Sequence, residues 1–136
     1  MGSGAVIVLD THALVWWVNG DDGLSAKARK AIEHELDGGE IVISAISAWE
    51  IAMLVARERL VLSMDVESWL STVAQIDAVR FIPVDVEISV KSVNLPGEFH
   101  NDPADRMIVA TARKLAVSLV TRDEKIRSYR HVKTIW

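Results

Sequence analysis

Residues 5–12 read Ala5-Val6-Ile7-Val8-Leu9-Asp10-Thr11-His12, and the break inside that stretch decides the fold. An unbroken apolar run, largely β-branched, is the pattern of a strand buried on both faces, as in the middle of a parallel sheet. Leu9 is followed at once by a carboxylate. Ligand crevices of open α/β sheets lie beyond the carboxyl ends of the strands, so Asp10 is expected at the mouth of such a crevice.

Outward from this strand the chain alternates. Residues 11–18 keep an apolar face at helical spacing and break at Asn19-Gly20, and Ser25 precedes a second helical pattern in which Ala28, Ala31, Ile32 and Leu36 share a face. Glu40-Ile41-Val42-Ile43-Ser44 is the next buried strand. Ser47-Ala48-Trp49-Glu50 then opens a helix to about Arg57, and Val66, Trp69, Leu70 and Val73 form one stripe of an amphipathic helix. Val79 to Val84 reads as a strand, with Pro83 near its end favouring an outer position. Asp85 caps a helix to about Val93. Asp102 followed by Pro103 opens a strong helix to Leu115. Residues 117–121 form a fourth strand, Asp123 starts a short polar helix, and residues 132–135 form a last edge strand. Strands separated by helical crossovers predict a three-layer α/β/α fold around a central parallel sheet of four to five strands.

The 136 residues suit one domain, read as residues 5–136 after a short start, Met1-Gly2-Ser3-Gly4, that resembles a cloning remnant. With no cysteine, disulfides, thiolate nucleophiles and cysteine-ligated metal sites are excluded. A formal charge of -4 argues against a broad basic surface but leaves room for a basic rim around an acidic site. No apolar run is long enough to span a membrane, and the N-terminal run lacks the flanks of a signal peptide. The expectation is a soluble, cytoplasmic protein with no membrane partner.

Taken singly, each acid has a structural explanation. Asp10, Asp105 and Asp123 suit helix N-termini, and Ser47 with Glu50 fits a capping box. Taken together, Asp10 and Asp123 follow strands directly, Glu50 lies shortly after Ser44, and Asp105 opens a long helix. In a parallel sheet those positions share one edge. Carboxylates gathered there repel one another unless a cation neutralises them, and a hard, oxygen-seeking ion such as Mg²⁺ suits them.

The blocks Leu9-Asp10-Thr11-His12-Ala13, Ser47-Ala48-Trp49-Glu50-Ile51, Asp102 to Ala110 and Thr121-Arg122-Asp123 resemble, in order, the motifs of PIN domains, with the nearest likeness to VapC-type toxins of toxin–antitoxin pairs. The likeness runs from Val6 to Trp136. It implies a metal-dependent endoribonuclease in which Asp10, Glu50, Asp105 and Asp123 are the catalytic and metal-binding acids. Mg²⁺ is the implied cofactor, with Mn²⁺ as a substitute, and RNA the implied substrate. One or two such ions would hold a scissile phosphate and activate water. Thr121 matches a supporting hydroxyl. Asp102, as helix cap, and Ser47 are further supporting residues, and Arg106 and Arg122 are candidate phosphate contacts. The resemblance also implies a cognate antitoxin, in a hetero-oligomer or beside a homodimer. Apolar stripes around Trp49, Met53 and residues 66–73 suggest a groove for its helix.

The four histidines make no zinc pattern, and the tryptophans at 16, 17, 49 and 69 fit packing better than base stacking, with Trp136 open. Three other readings compete. A haloacid dehalogenase-type phosphatase needs a second acid where His12 stands. A receiver domain offers Asp85 as phosphoacceptor but has no place for the acids at 102 and 105. A catalytically silent binding module would use the acids only as caps.

Overall fold

The computed structural model describes residues 5–136, so the reading of Met1 to Gly4 as a remnant lies outside the described residues. The first strand, β1 (Val6–Leu9), has alternate side chains buried in two different cores. Ile7 and Leu9 face one, and Val8 faces the other. The elements then follow as α1 (Thr11–Asn19), α2 (Ala26–Glu35), β2 (Glu40–Ser44), α3 (Ala45–Ala56), α4 (Val66–Ala74) and β3 (Val79–Ile82). After these come α5 (Val86–Val93), α6 (Pro103–Leu115), β4 (Ser118–Val120), α7 (Glu124–Arg127) and β5 (Thr134–Ile135).

All strand pairs are parallel, in the order β3-β2-β1-β4-β5. The expected parallel sheet is therefore present with five strands and helices on both faces. One core packs Leu14, Ile32, Ile51, Trp69 and Val73 against Leu9 and Ile43. The other packs Ile88, Ile108, Val109 and Ile126 against Val8, Val42 and Leu119. Pro83 follows β3, an outer strand, where its missing N–H leaves no ladder position unfilled.

The strand order places function. From β1 the chain winds outward through β2 and β3, and then returns to lay β4 against the other side of β1. The β1/β4 boundary is the switch point at which crossover loops part and leave a crevice at the carboxyl ends of the strands. Asp10 follows β1 there, and Thr121 and Asp123 follow β4.

Two local expectations are corrected. The helix predicted to open at Ser47 begins at Ala45, capped by the Ser44 hydroxyl, which accepts the Ile46 N–H at 3.2 Å. Strand passes into helix with no loop, so Glu50 stands too deep in α3 to reach back to the cap, and the capping box does not form. Residues 66–73 were expected to offer an apolar stripe to a partner. Their anchors Trp69 and Val73 instead fill the protein's own core, whereas Trp49 on α3 is 57% exposed.

Candidate metal centre

Each expected acid is delivered by its own element. Asp10 caps α1, accepting the Ala13 N–H at 2.9 Å, and its other oxygen accepts the Thr121 hydroxyl. Glu50, in the second turn of α3, accepts the Thr11 hydroxyl. Thr11 is hydrogen-bonded in turn to the buried Ser47 hydroxyl at 2.9 Å. Asp102 caps α6 at the Ala104 N–H, 3.0 Å away, and leaves Asp105 in the first turn. Asp123 caps α7 through the N–H groups of Lys125 and Ile126. These acids line one cleft of about 430 Å³ together with Thr11, His12, Trp16, Asp102 and Arg122.

The electrostatics are those of a site short of positive charge. Burial pushes the Asp10 carboxyl up, against the pull of the Thr121 and Ala13 hydrogen bonds. Burial likewise raises Glu50, against the Thr11 bond. Asp105 is pushed up to about 7, first by burial and then by the charges of Asp102, Asp123, Glu50 and Asp10. A carboxyl that resists ionising because it is buried beside other carboxylates gains most from a cation among them. The donor set is rich in oxygen and half-buried, which fits Mg²⁺ or Mn²⁺.

A family model for the PIN domain matches residues 7–132. The chain belongs to the PIN-domain family. This PIN domain is 39% identical over 132 residues to Ribonuclease VapC22 of Mycobacterium tuberculosis, a match covering 96% of this chain and 98% of that protein. Its fold resembles VapBC2 of Rickettsia felis bound to a promoter DNA fragment, with a TM-score of 0.67 and 17% identity over 95% of this chain and 96% of that one. It also resembles M. tuberculosis VapC20, a sarcin-ricin loop cleaving toxin, with a TM-score of 0.62 and 15% identity over 93% and 98% of the two chains.

Within the PIN domain the two arginines part company. Arg122 lies over the Trp16 ring, 5.7 Å from its centroid, on the cleft wall. Arg106 points elsewhere. Its guanidinium donates to the carbonyls of Ser92, Val93, Phe99 and His100, which corrects its reading as a phosphate contact: its donors staple the end of α5 and the 94–101 loop to α6. Asp85, the acceptor of the receiver-type reading, caps α5 and pairs with Lys114 at 3.2 Å, away from the cleft.

Sequence reasoning leaves Thr11 without a role and sets His100 aside with the other histidines for want of a zinc pattern, yet both face the acids. Thr11 carried a weak signal, a hydroxyl directly after the strand-end Asp10. His100 carried none, because it comes from an irregular loop. Its Nε2 lies 3.1 Å from Asp105 Oδ2, yet this buried nitrogen has no aligned hydrogen-bond partner among the described residues. His100, Asp105 and Asp123 offer donor atoms that all lie within 4.8 Å of one another.

Proposed function

We propose that this PIN domain, taking residues 5–136 as one unit, is a divalent-metal-dependent endoribonuclease of the VapC toxin type. The observation that carries the reading is the convergence of Asp10, Glu50, Asp105 and Asp123 in one cleft at the β1/β4 switch point, with Asp105 driven to about 7 by burial and then by its acidic neighbours. The likeness to Ribonuclease VapC22 over nearly the whole chain supports RNA as the substrate.

The protein's own part is orientation and exclusion. Thr121 and the Ala13 N–H hold the two Asp10 oxygens in fixed directions, and Thr11 does the same for Glu50. Ligands locked by such neighbours lose little freedom when a cation arrives. Bound there, Mg²⁺ or Mn²⁺ supplies the Lewis acidity that polarises a phosphodiester and activates water. Arg122, over the Trp16 ring, gives the cleft wall a positive charge for an RNA phosphate.

An acidic cleft that a cation must neutralise is also one that a basic side chain can fill. A cognate antitoxin placing Arg or Lys among these acids would silence the enzyme, and exposed Trp49, beside Glu50 on α3, offers an apolar foothold for it. The complex, a hetero-oligomer that could also contain a toxin homodimer, acts in the cytoplasm. Purified protein incubated with RNA and Mg²⁺ should cut it internally, and Glu50→Gln should not. Equal cleavage by both proteins would remove the reading.

A further inference from the structure

We propose that His100 is a direct ligand of the cation in this cleft, binding through Nε2 beside Asp105 and Asp123 and giving the site a preference for Mn²⁺ over Mg²⁺. The inference rests on the metal-dependent reading above and adds a nitrogen donor to the four expected acids.

The first argument is the state of the nitrogen itself. Nε2 is buried and has no hydrogen-bond partner among the described residues, although an Asp105 oxygen lies only 3.1 Å away. The two atoms are close but not aligned to share a proton. Buried ring nitrogens are ordinarily satisfied, and one that is not calls for an explanation such as an ion.

The second argument is the spacing. Adjacent ligands of a six-coordinate ion with bonds of about 2.0–2.2 Å stand ~3 Å apart, which is the separation of Nε2 from Asp105 Oδ2. The Asp123 carboxylate completes the set, with all three donor atoms within 4.8 Å of one another. His12 stands in the cleft wall and His100 behind it on the 94–101 loop, but His100 is the histidine whose ring nitrogen is grouped with Asp105 and Asp123.

The third argument is that the loop holding His100 is built rather than loose. Arg106 Nη1 donates to the carbonyls of Phe99 at 2.9 Å and His100 at 3.1 Å. The His100 ring packs on Phe99 with centroids 4.4 Å apart, and Phe99 packs on Tyr129. The Tyr129 hydroxyl ties down the carbonyl of Pro96. Arg106 and Tyr129 are thus positioning residues that fix the imidazole before any ion arrives.

An imidazole changes which ion the site favours. Mg²⁺ is held by oxygen ligands and waters, whereas first-row transition ions accept imidazole readily and bind more tightly along the series from Mn²⁺ onward. Mn²⁺ suits a site of several carboxylates and one nitrogen.

The test loads metal-free protein with Mn²⁺ and reads nitrogen hyperfine coupling by pulsed electron paramagnetic resonance, beside calorimetric titrations of Mn²⁺ and Mg²⁺ into wild type and His100→Gln. We expect ¹⁴N coupling in wild type and none in His100→Gln. Mn²⁺ affinity should fall by about tenfold or more in the variant, while Mg²⁺ affinity moves much less. Mn²⁺ bound without nitrogen coupling in wild type overturns the proposal and leaves the acid site intact, and so does coupling that survives His100→Gln. Failure of wild type to bind either ion overturns the metal reading itself. If His100→Gln folds poorly, His12→Gln decides instead: coupling retained in it assigns the nitrogen to His100, because His12 is the histidine on the cleft wall, and coupling lost in it overturns the proposal.

Discussion

The Thr121 hydroxyl donates to a carboxylate oxygen of Asp10 across 111 positions of sequence, and the same oxygen atom of Thr121 accepts the Asp123 N–H at 3.0 Å. One buried side chain therefore sets the direction of one acid and the backbone of another. It works across the β1/β4 boundary that creates the cleft. Thr121→Val keeps the shape and removes both bonds. It should cost about 1–3 kcal/mol in urea unfolding, because the Asp10 carboxylate loses a buried donor. It should also lower RNA cleavage, and Thr121→Ser should restore most of both. A stable, active valine variant would show that Asp10 needs no such orientation.

Asp105 sets a pH dependence whose sign follows from its shift. Its folded-state pKa of about 7 lies above the ordinary value of 3.8, so the folded protein holds this proton more tightly than the unfolded chain. Its contribution to stability is complete at pH below the ordinary value and is lost as pH rises towards the folded-state pKa. In EDTA, Asp105→Asn should therefore gain melting temperature relative to wild type as pH goes from about 4 to about 7. Saturating Mg²⁺ or Mn²⁺ should narrow or reverse that gap, because wild type then gains the binding energy of the ion. A constant difference across that range would mean that burial and the neighbouring acids do not hold Asp105 protonated.

Asp102 and Asp105 should separate by function. Asp102 caps α6 yet also adds negative charge that raises Asp105 and Glu50. Asp102→Ala should lose about 0.5–2 kcal/mol as a missing cap, partly offset by relief of repulsion. Asp102→Asn keeps the cap and relieves the repulsion, so in EDTA it should melt at or above wild type. Asp105→Asn should chiefly abolish cleavage. An asparagine variant as unstable as the alanine variant would count against the repulsion argument.

Arg106 should act through structure. Each of its four acceptors is a backbone carbonyl, so Arg106→Ala should cost on the order of 3 kcal/mol. Arg106→Lys should rescue little, since an ammonium lacks the planar fork that reaches several carbonyls at once. Loss of cleavage with unfolding free energy unchanged would restore the phosphate-contact reading.

How much of this was legible in the sequence follows from where each residue sits. The apolar runs ending in Leu9, Ser44 and Val120 announce strands buried on both faces, and Asp10 and Asp123 stand at their ends because caps and strand ends coincide in this architecture. Pro83 marked the outer strand for the same local reason. The start of α3 was misplaced because Ser44 and Ser47 are both good caps, and only the absence of a loop after β2 decides between them. Trp69 and Val73 could not be told from a docking stripe, since periodicity reports an apolar face and not what covers it. Arg106 and His100 meet through a loop without periodicity. Nothing in their spacing reveals that the guanidinium binds carbonyls or that the imidazole faces Asp105.

The central claim, that the cleft cuts RNA through a cation held by its acids, is tested most directly by following cleavage of an RNA by the purified protein through chelation and add-back. EDTA should abolish cleavage, Mg²⁺ or Mn²⁺ should restore it in proportion to occupancy, and Asp10→Asn, still folded, should stay inactive at every ion concentration. Cleavage undiminished after thorough chelation, or equal in Asp10→Asn, would contradict the account.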